Sequence, residues 1–181
     1  MFARTARLTL RPAWPEDAPQ LAAAIGHESV TRNLSKVPWP YSLADAEAHI
    51  MRPRQPKDVF CLIFEHRSAH PRLIGGIGMG AIEGGHEFGY WLTPSAWGRG
   101  YATEAGRAVV AAARHTLGLH RLKAGHFVDN PASGRVLTKL GFRPTGGVTQ
   151  RESRARGGEV PCVDFVLDLD DGECRMDRLA A

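Results

Sequence analysis

Alternation of apolar and polar residues marks the first of several predicted strands. Residues 7–11 read Arg-Leu-Thr-Leu-Arg, a period-two pattern typical of a half-buried strand. Residues 59–64 form a short continuous apolar run, which predicts a buried strand. Gly84 and Gly85 predict a hairpin turn between two further strands. The same reasoning predicts the other strands, which lie at 73–82, 86–92, 121–128, 142–148 and 160–167.

Helical periodicity separates these strands. The longest helix is predicted over 102–117, where apolar residues three or four positions apart form one stripe. Shorter helices are predicted over 16–25, 44–51 and 132–140, with Ser42 as the N-cap of the second. The order is strand, two helices, three strands, helix, strand, helix, two strands. It predicts a single α/β (α+β) domain, in which helices flank a mixed sheet of six or seven strands.

The composition narrows the class of protein. The chain has 181 residues, of which 43% are hydrophobic and 23% charged, as expected of one soluble globular domain. We predict that this domain covers 1–170 and that 171–181 form a tail. The three cysteines, Cys61, Cys162 and Cys174, are far apart in the sequence. This spacing gives no zinc motif and favours a reducing, cytoplasmic compartment.

Charge and hydropathy argue against two classes of partner. No segment approaches the roughly 20 apolar residues of a membrane-spanning helix, and the N-terminal segment has no apolar run of signal-peptide length. The net charge is only +4 and the basic residues are scattered, so we expect no nucleic-acid partner. A mild basic excess suits a phosphate-bearing small molecule equally well.

A glycine-rich segment before the longest helix is the best candidate for ligand binding. Residues 97–104 read Trp-Gly-Arg-Gly-Tyr-Ala-Thr-Glu. Small residues let backbone N–H groups approach a ligand, the following helix N-terminus favours phosphate, and Arg99 can add charge. The alternative is a tight turn packed against the sheet. A Rossmann or P-loop motif does not fit, because Thr103 stands at the third glycine position and no Gly-Lys-Ser/Thr follows.

Several segments together carry a resemblance to a known family. Gly-Tyr-Trp-Leu at 89–92 and the glycine-rich segment at 97–105 resemble the acetyl-CoA-binding core of GNAT acetyltransferases. More narrowly, they resemble the RimJ/RimL-like branch, which contains the ribosomal-protein N-terminal acetyltransferases. Arg-Leu-Thr-Leu-Arg-Pro at 7–12, Pro-Tyr-Ser at 40–42 and Asn-Pro-Ala-Ser at 130–133 resemble the same branch in order and spacing.

The resemblance covers residues 7–167 and implies an acetyl-CoA-dependent N-acetyltransferase that uses no metal. It implies a mostly antiparallel sheet whose central strands splay apart. It also implies that the glycine-rich backbone holds the pyrophosphate of acetyl-CoA, and that the preceding strand pairs with the pantetheine arm. The residues expected to contact this cosubstrate are Trp91, Leu92, Gly98, Arg99, Gly100, Tyr101, Ala102, Thr103 and Asn130.

Direct attack on a thioester needs a base, because an alkyl ammonium with a pKa of roughly 10 must first lose a proton. Glu87 is the first candidate, since the family often places a catalytic carboxylate in this strand. The alternative is that Glu87 is a solvated or salt-bridged strand residue. His126 is a second candidate base, whereas His86 would point to the opposite face of a regular strand.

The departing thiolate benefits from a proton donor, and here the sequence departs from the broad family. Many GNAT enzymes carry a tyrosine in the last helix, where this chain has Leu137. In the RimJ/RimL-like branch a serine of this helix is thought to serve, and Ser133 matches it. The alternative is that Ser133 only caps or orders the short helix. Protonation by Ser133 or by water stays open.

The amine acceptor is the least defined feature. Trp39 and Tyr41 lie in the turn that lines the acceptor side in this family, and they would either wall the acceptor groove or anchor the turn. Arginines of the predicted loop 151–158 could attract an acidic peptide, although a solvated face is the simpler interpretation. The acceptor is a protein N-terminus or a small amine. A non-catalytic domain that binds or senses acyl-CoA is the alternative function, and the family also leads us to expect a homodimer.

Overall fold

The computed structural model describes residues 1–66 and 70–170, and the predicted tail at 171–181 lies outside this range. The described residues form one sheet of eight strands. The strands are β1 Ala3–Arg4, β2 Leu8–Arg11, β3 Val59–Glu65, β4 Arg72–Ile82, β5 Gly85–Leu92, β6 Arg121–Phe127, β7 Arg143–Ser153 and β8 Gly158–Asp168. The expected count of six or seven is therefore corrected to eight. The missed strand, β1, has only two residues, too few to show a period-two pattern.

The sheet has the order β1-β2-β3-β4-β5-β6-β8-β7. Its described neighbours are antiparallel except for β5 and β6, which confirms the mixed, mostly antiparallel sheet. The parallel pair is joined only where His86 lies beside Leu122 and Glu87 beside Lys123. Beyond Glu87 the two strands no longer pair. The expected splay of the central strands is therefore confirmed.

The helices are α1 Ala18–Ile25, α2 Glu28–Thr31, α3 Leu43–Met51, α4 Tyr101–His115 and α5 Pro131–Lys139. Ser42 caps α3 as predicted: its hydroxyl accepts the Asp45 N–H at 3.2 Å, and the Asp45 carboxylate accepts the Ser42 N–H at 2.9 Å. Helix α2 was not predicted, because a single turn is too short to show helical periodicity. Helix α4 provides the crossover that a parallel pair of strands requires. No helix of the described ranges is long and apolar enough to cross a membrane.

The two faces of the sheet carry separate cores. On one face α4 and α5 pack through buried residues that include Val109. On the other face α1 and α3 pack through residues that include Leu21 and Ala46. Strand β5 contributes to both, because successive strand side chains point to opposite faces: Phe88 joins the α4 face, and Trp91 packs on the α1 face.

The cysteines that the structure describes are buried and unpaired. Cys61 and Cys162 are free thiols with 0% and 2% of their surface exposed, and Cys174 lies outside the described residues. Burial raises the pKa of both thiols. Their placement gives neither of them the exposed, electropositive surroundings of a reactive cysteine.

Candidate active site

The gap between β5 and β6 opens a cavity of about 510 Å³. Its walls are β5, the end of β6, the glycine-rich segment and α5. Because pairing with β6 ends at Glu87, none of the described strands pairs with the edge of β5 from Phe88 to Leu92 on that side. An extended ligand can therefore hydrogen-bond to this edge as an additional strand would.

The glycine-rich segment closes one end of the cavity. Gly98 and Gly100 have φ angles of 74° and 78°, which residues other than glycine rarely adopt. Gly100 is also the N-cap of α4. The indole N–H of Trp97 donates to the Leu92 carbonyl at 2.8 Å and ties the segment to the end of β5. The N-terminus of α4 therefore faces the cavity, an arrangement that favours phosphate.

Most of the residues predicted to contact the cosubstrate line this one cavity. They are Trp91, Leu92, Gly98, Gly100, Tyr101, Ala102, Thr103 and Asn130. Arg99 is the exception, because its side chain is exposed and does not line the wall. The structure therefore brings together eight predicted residues that are spread over 40 positions of sequence, from 91 to 130. Of the predicted cosubstrate contacts, it leaves out Arg99.

Arg7, which the sequence analysis did not single out, braces the same segment. Its guanidinium donates to the Glu104 carboxylate at 2.6 Å and to the Arg99 carbonyl at 3.0 Å, and it stacks over the Tyr101 ring. Thr5 also donates to Glu104, at 2.6 Å. Burial alone would raise the pKa of Glu104, but the hydrogen bonds from Thr5 and Arg7 outweigh it and lower that pKa. The brace fixes the first turn of α4 against the N-terminal loop.

A hydroxyl group of α5 meets a hydroxyl group of β5 at the first turn of the helix. Asn130 caps the helix, and its side-chain oxygen accepts the Ser133 N–H at 3.4 Å. The Ser133 hydroxyl oxygen accepts a hydrogen bond from the Tyr90 hydroxyl at 3.1 Å. All three residues line the cavity. Leu137 has 2% of its surface exposed and packs in the core, so Tyr90, not a tyrosine of the helix, supplies the phenol beside Ser133.

Glu87 projects from the other face of β5 and is held by an ion pair. Its carboxylate accepts from the Arg151 guanidinium of β7, which also donates to Asp164 of β8 at 2.6 Å. Gly125 of β6 leaves room for this contact, since a Cβ there would lie 3.3 Å from the guanidinium carbon. The Glu87 side chain is 28% exposed and lines the cavity. The carboxylate is thus both accessible and fixed in place.

The prediction that residues 151–158 form a loop with solvated arginines is wrong for Arg151 and Arg156, because both form ion pairs. Strand β7 extends to Ser153 and includes Arg151. Arg156 forms a two-point ion pair with Asp129, at 2.8 and 3.0 Å, and donates to the Arg32 carbonyl at 2.7 Å. The sequence suggested solvation because the acidic partners lie far away along the chain. These contacts tie the β7–β8 turn to the end of α2 and to the loop before α5.

The wall of the cavity near Glu87 includes the end of α2 and the turn after it. The lining residues of this segment are Val30, Asn33, Leu34 and Ser35. Trp39 is 41% exposed and Tyr41 packs with the α1 and α3 core, and neither lines the cavity. Burial and then the neighbouring Asp45 raise the pKa of Tyr41 to about 12. A substrate role for Trp39 and Tyr41 stays a prediction, without a contact to the cavity.

The two histidines near the splayed strands differ in placement. His126 lines the cavity, with its Nδ1 at 2.9 Å from the Phe127 carbonyl oxygen and its Nε2 packed close to Gly134 of α5. The Nε2 of His86 is buried without a hydrogen-bond partner among the described residues. Within residues 1–66 and 70–170, no three His, Cys, Asp or Glu side chains are grouped to hold a metal ion.

A parallel strand pair that splays over a glycine-rich helix start, with α4 as the crossover, defines the class of fold: an acyl-CoA-binding acetyltransferase domain. Residues 7–143 match the Acetyltransferase (GNAT) domain family. The chain belongs to the GNAT family and is an acetyltransferase.

Relatives and solved structures agree on this class. YoaA of Bacillus subtilis (strain 168), an uncharacterized N-acetyltransferase, is 34% identical over 154 residues, which cover 81% of this chain and 85% of YoaA. The fold of RimL, the ribosomal L7/L12 alpha-N-protein acetyltransferase in complex with coenzyme A, matches with a TM-score of 0.76 and 20% identity, over 94% of this chain and 99% of RimL.

Spermidine N-acetyltransferase from Vibrio cholerae, in complex with CoA and spermine, is similar to the same degree. Its TM-score is 0.74 at 18% identity, over 91% of this chain and 97% of that enzyme. The two solved structures share the fold and differ in the acceptor that each is named for. Similarity at this level of identity therefore identifies the architecture and leaves both the acceptor and the RimJ/RimL-like branch open.

Proposed function

We propose that this protein is an acetyl-CoA-dependent N-acetyltransferase that acetylates a primary amine in the gap between β5 and β6. One observation carries the proposal: the unpaired edge of β5 leads from the glycine-rich start of α4 to Glu87 on one face of the strand and Ser133 on the other. Acetyl-CoA has a matching shape, with a pyrophosphate, an extended arm with amide groups and a terminal thioester.

The donor binds along α4 and α5. Backbone N–H groups of residues 98–103 and the α4 dipole hold the pyrophosphate. The amides of the pantetheine arm pair with the free edge of β5, and Asn130 contacts the arm near its reactive end. Arg135 and Lys139 of α5 line the same cavity and add positive charge for the phosphates.

Glu87 is the proposed base. The ammonium loses one proton to this carboxylate, directly or through water, and the lone pair so freed forms the new C–N bond. The nitrogen then gives up its second proton to solvent as the tetrahedral intermediate collapses to the amide. Arg151 fixes the position of the carboxylate, and we infer that this positioning lets Glu87 face the incoming ammonium. His126 is less well placed, because its Nδ1 lies against the Phe127 carbonyl oxygen and its Nε2 packs against α5.

The leaving group departs on the opposite side of the strand. Glu87 and Tyr90 are three residues apart and so project to opposite faces of β5, and Ser133 lies with Tyr90. The tetrahedral intermediate collapses when the C–S bond breaks and its electron pair moves to sulfur. The Ser133 hydroxyl donates a hydrogen bond to this thiolate. The amine therefore enters from one face and the thiolate leaves toward the other.

The acceptor enters past residues 30–35, which line the cavity on the Glu87 side. RimL is named for a protein N-terminus and the Vibrio cholerae enzyme for spermidine, and both acceptors present a primary amine. Ser133 and the segment at 97–105 support the RimJ/RimL-like branch and hence a protein N-terminus. A small amine is the second candidate, because a cavity of about 510 Å³ shared with the donor leaves little room.

The decisive experiment measures thiol release from acetyl-CoA by the purified protein. N-terminal peptides are tested beside polyamines, amino acids and aminoglycosides. Turnover confined to one group identifies the acceptor class. Tight acetyl-CoA binding with no turnover in any group would contradict the proposal and favour the alternative of an acyl-CoA sensor.

A further inference from the structure

We propose that Tyr90 is a positioning residue for the leaving group: its phenol holds the Ser133 hydroxyl so that the serine hydrogen points into the cavity, toward the departing thiolate. The inference rests on the proposed acetyl transfer and assigns a role to a residue that the family resemblance did not. It stands on the contact between the two hydroxyl groups and on their place in the cavity wall.

In the proposed arrangement Tyr90 donates and Ser133 accepts, and this direction defines what Ser133 can do. A hydroxyl group has one hydrogen to donate and two lone pairs that accept. The Ser133 oxygen accepts from the Tyr90 hydroxyl at 3.1 Å, which leaves the serine hydrogen available for another acceptor. The backbone N–H of Ser133 is already held by Asn130. The residue is therefore fixed at two points, and in the proposed arrangement its hydroxyl hydrogen is left for an acceptor in the cavity.

The phenol is well suited to hold this direction. Burial raises the pKa of Tyr90, so the hydroxyl stays protonated and can donate throughout the neutral range. Its ring packs against Phe88 at a centroid distance of 6.2 Å, and Phe88 packs against Phe142 at 5.5 Å. The core of the α4 face thus supports the ring, and through the ring it supports the serine.

Tyr90 also strengthens the serine as a donor. A hydroxyl that accepts one hydrogen bond is polarised and donates a second one more strongly. When the C–S bond breaks, sulfur carries the electron pair and accepts the serine hydrogen bond, and a solvent proton then neutralises the thiolate. Tyr90 keeps its own proton throughout. The arrangement brings a phenol to the leaving group although the helix carries Leu137.

The test uses Tyr90→Phe, which removes the hydroxyl and keeps the ring. With acetyl-CoA and an amine that the thiol-release assay shows to be acetylated, kcat should fall about tenfold, while KM for acetyl-CoA changes little. Ser133→Ala should cause a similar fall, and the double variant should be no slower than Ser133→Ala alone, because the two hydroxyls act as one unit. Thr138→Val removes a hydroxyl from the exposed side of α5 and is the control.

A second measurement does not depend on turnover. Bound coenzyme A is titrated, and the ultraviolet absorbance of its thiolate gives the pKa of the thiol. Binding should lower this pKa from its free value of roughly 8.5, and Tyr90→Phe and Ser133→Ala should each raise it again by about one. A protein that binds coenzyme A but acetylates nothing would still give this result, so failure of the proposed function and failure of this inference are distinguishable.

A fluorinated tyrosine at position 90 covers the case in which Tyr90→Phe does not fold. It is nearly the same size and donates a stronger hydrogen bond, so the thiol pKa should fall further. An unchanged thiol pKa with fluorotyrosine, or multiplicative losses in the double variant, would overturn the inference. The same holds if Tyr90→Phe is fully active and Ser133→Ala is not.

Discussion

The proposed donor side and the proposed acceptor side of the cavity are built in different ways. The donor side consists of the edge of β5, the glycine-rich segment and two helix N-termini, so the groups that face the ligand are mostly main chain. The acceptor side is assembled from side chains of distant segments, which Arg151 and Arg156 connect through ion pairs. The geometry of the donor side therefore depends mainly on the backbone, whereas that of the acceptor side depends on a few charged side chains.

Removal of the proposed base should separate the two sides most clearly. Glu87→Gln keeps the size of the side chain and removes the proton acceptor, so kcat should fall by about 10²–10⁴. Acetyl-CoA affinity, measured by calorimetry, should change by less than about threefold, because Glu87 lies on the other face of β5 from Ser133. The control is Glu83→Gln, in the exposed turn between β4 and β5.

A fully active Glu87→Gln would show that the carboxylate is only an ion-pair partner of Arg151. His126→Gln would then be the next variant to measure, because its ring also lines the cavity. Loss of activity together with loss of acetyl-CoA binding would instead mean that the two sides are not independent.

Arg151 tests whether the acceptor side depends on one guanidinium. Lysine has the same charge but cannot bridge two carboxylates with a planar fork, so Arg151→Lys should release Glu87 or Asp164. We expect kcat/KM for the amine to fall about tenfold, with KM for acetyl-CoA unchanged. An equal rise in both KM values would contradict an effect confined to the acceptor side.

Gly100 provides the corresponding test of the donor side. Its φ of 78° is strained for alanine by roughly 1–2 kcal/mol. Relief of this strain would shift the backbone N–H groups that are proposed to hold the pyrophosphate, so Gly100→Ala should weaken acetyl-CoA binding about tenfold. At saturating acetyl-CoA, kcat should be close to that of the unmodified protein. Gly118→Ala, after α4, is a matched control: φ is 57° and a Cβ would meet nothing within 4 Å. It should cost similar stability and leave the affinity unchanged.

This difference in construction also explains which features the sequence could predict. The glycine-rich segment, Asn130 and Ser133 lie in short motifs, and local patterns of this kind are visible without a structure. Arg7 and Glu104 are 97 positions apart, and Arg151 and Glu87 are 64 apart. No periodicity or spacing in the sequence links such pairs. The contact of Arg7 with Glu104 and the ion pairs of Arg151 could therefore not be predicted. Tyr90 was hidden for another reason: within 89–92 it reads as part of a strand.

The smallest expected effect is a difference in acid stability between the two faces of the sheet. On the α3 face, burial and then the charges of Arg54 and Arg52 lower the pKa of His49 to about 4 from 6.5. The folded protein keeps this imidazole neutral, whereas the unfolded chain binds a proton below pH 6.5. The stability that His49 contributes is therefore complete above pH 6.5 and is lost as the pH falls toward 4.

Glu104, which Arg7 contacts in the first turn of α4, loses its contribution to stability in a lower pH range. Its pKa lies below the ordinary value of 4.5, so its carboxylate stabilises the fold above that pH and the contribution disappears as the pH falls further.

Thermal unfolding should show the two pH ranges separately. His49→Gln should reduce the fall in Tm between pH 7 and pH 5 by about 2–4 °C, the shift expected for about 1 kcal/mol. Glu104→Gln should leave that interval unchanged and flatten the curve below pH 4.5. If both variants changed the curve in the same interval, the two faces of the sheet would not respond to acid independently.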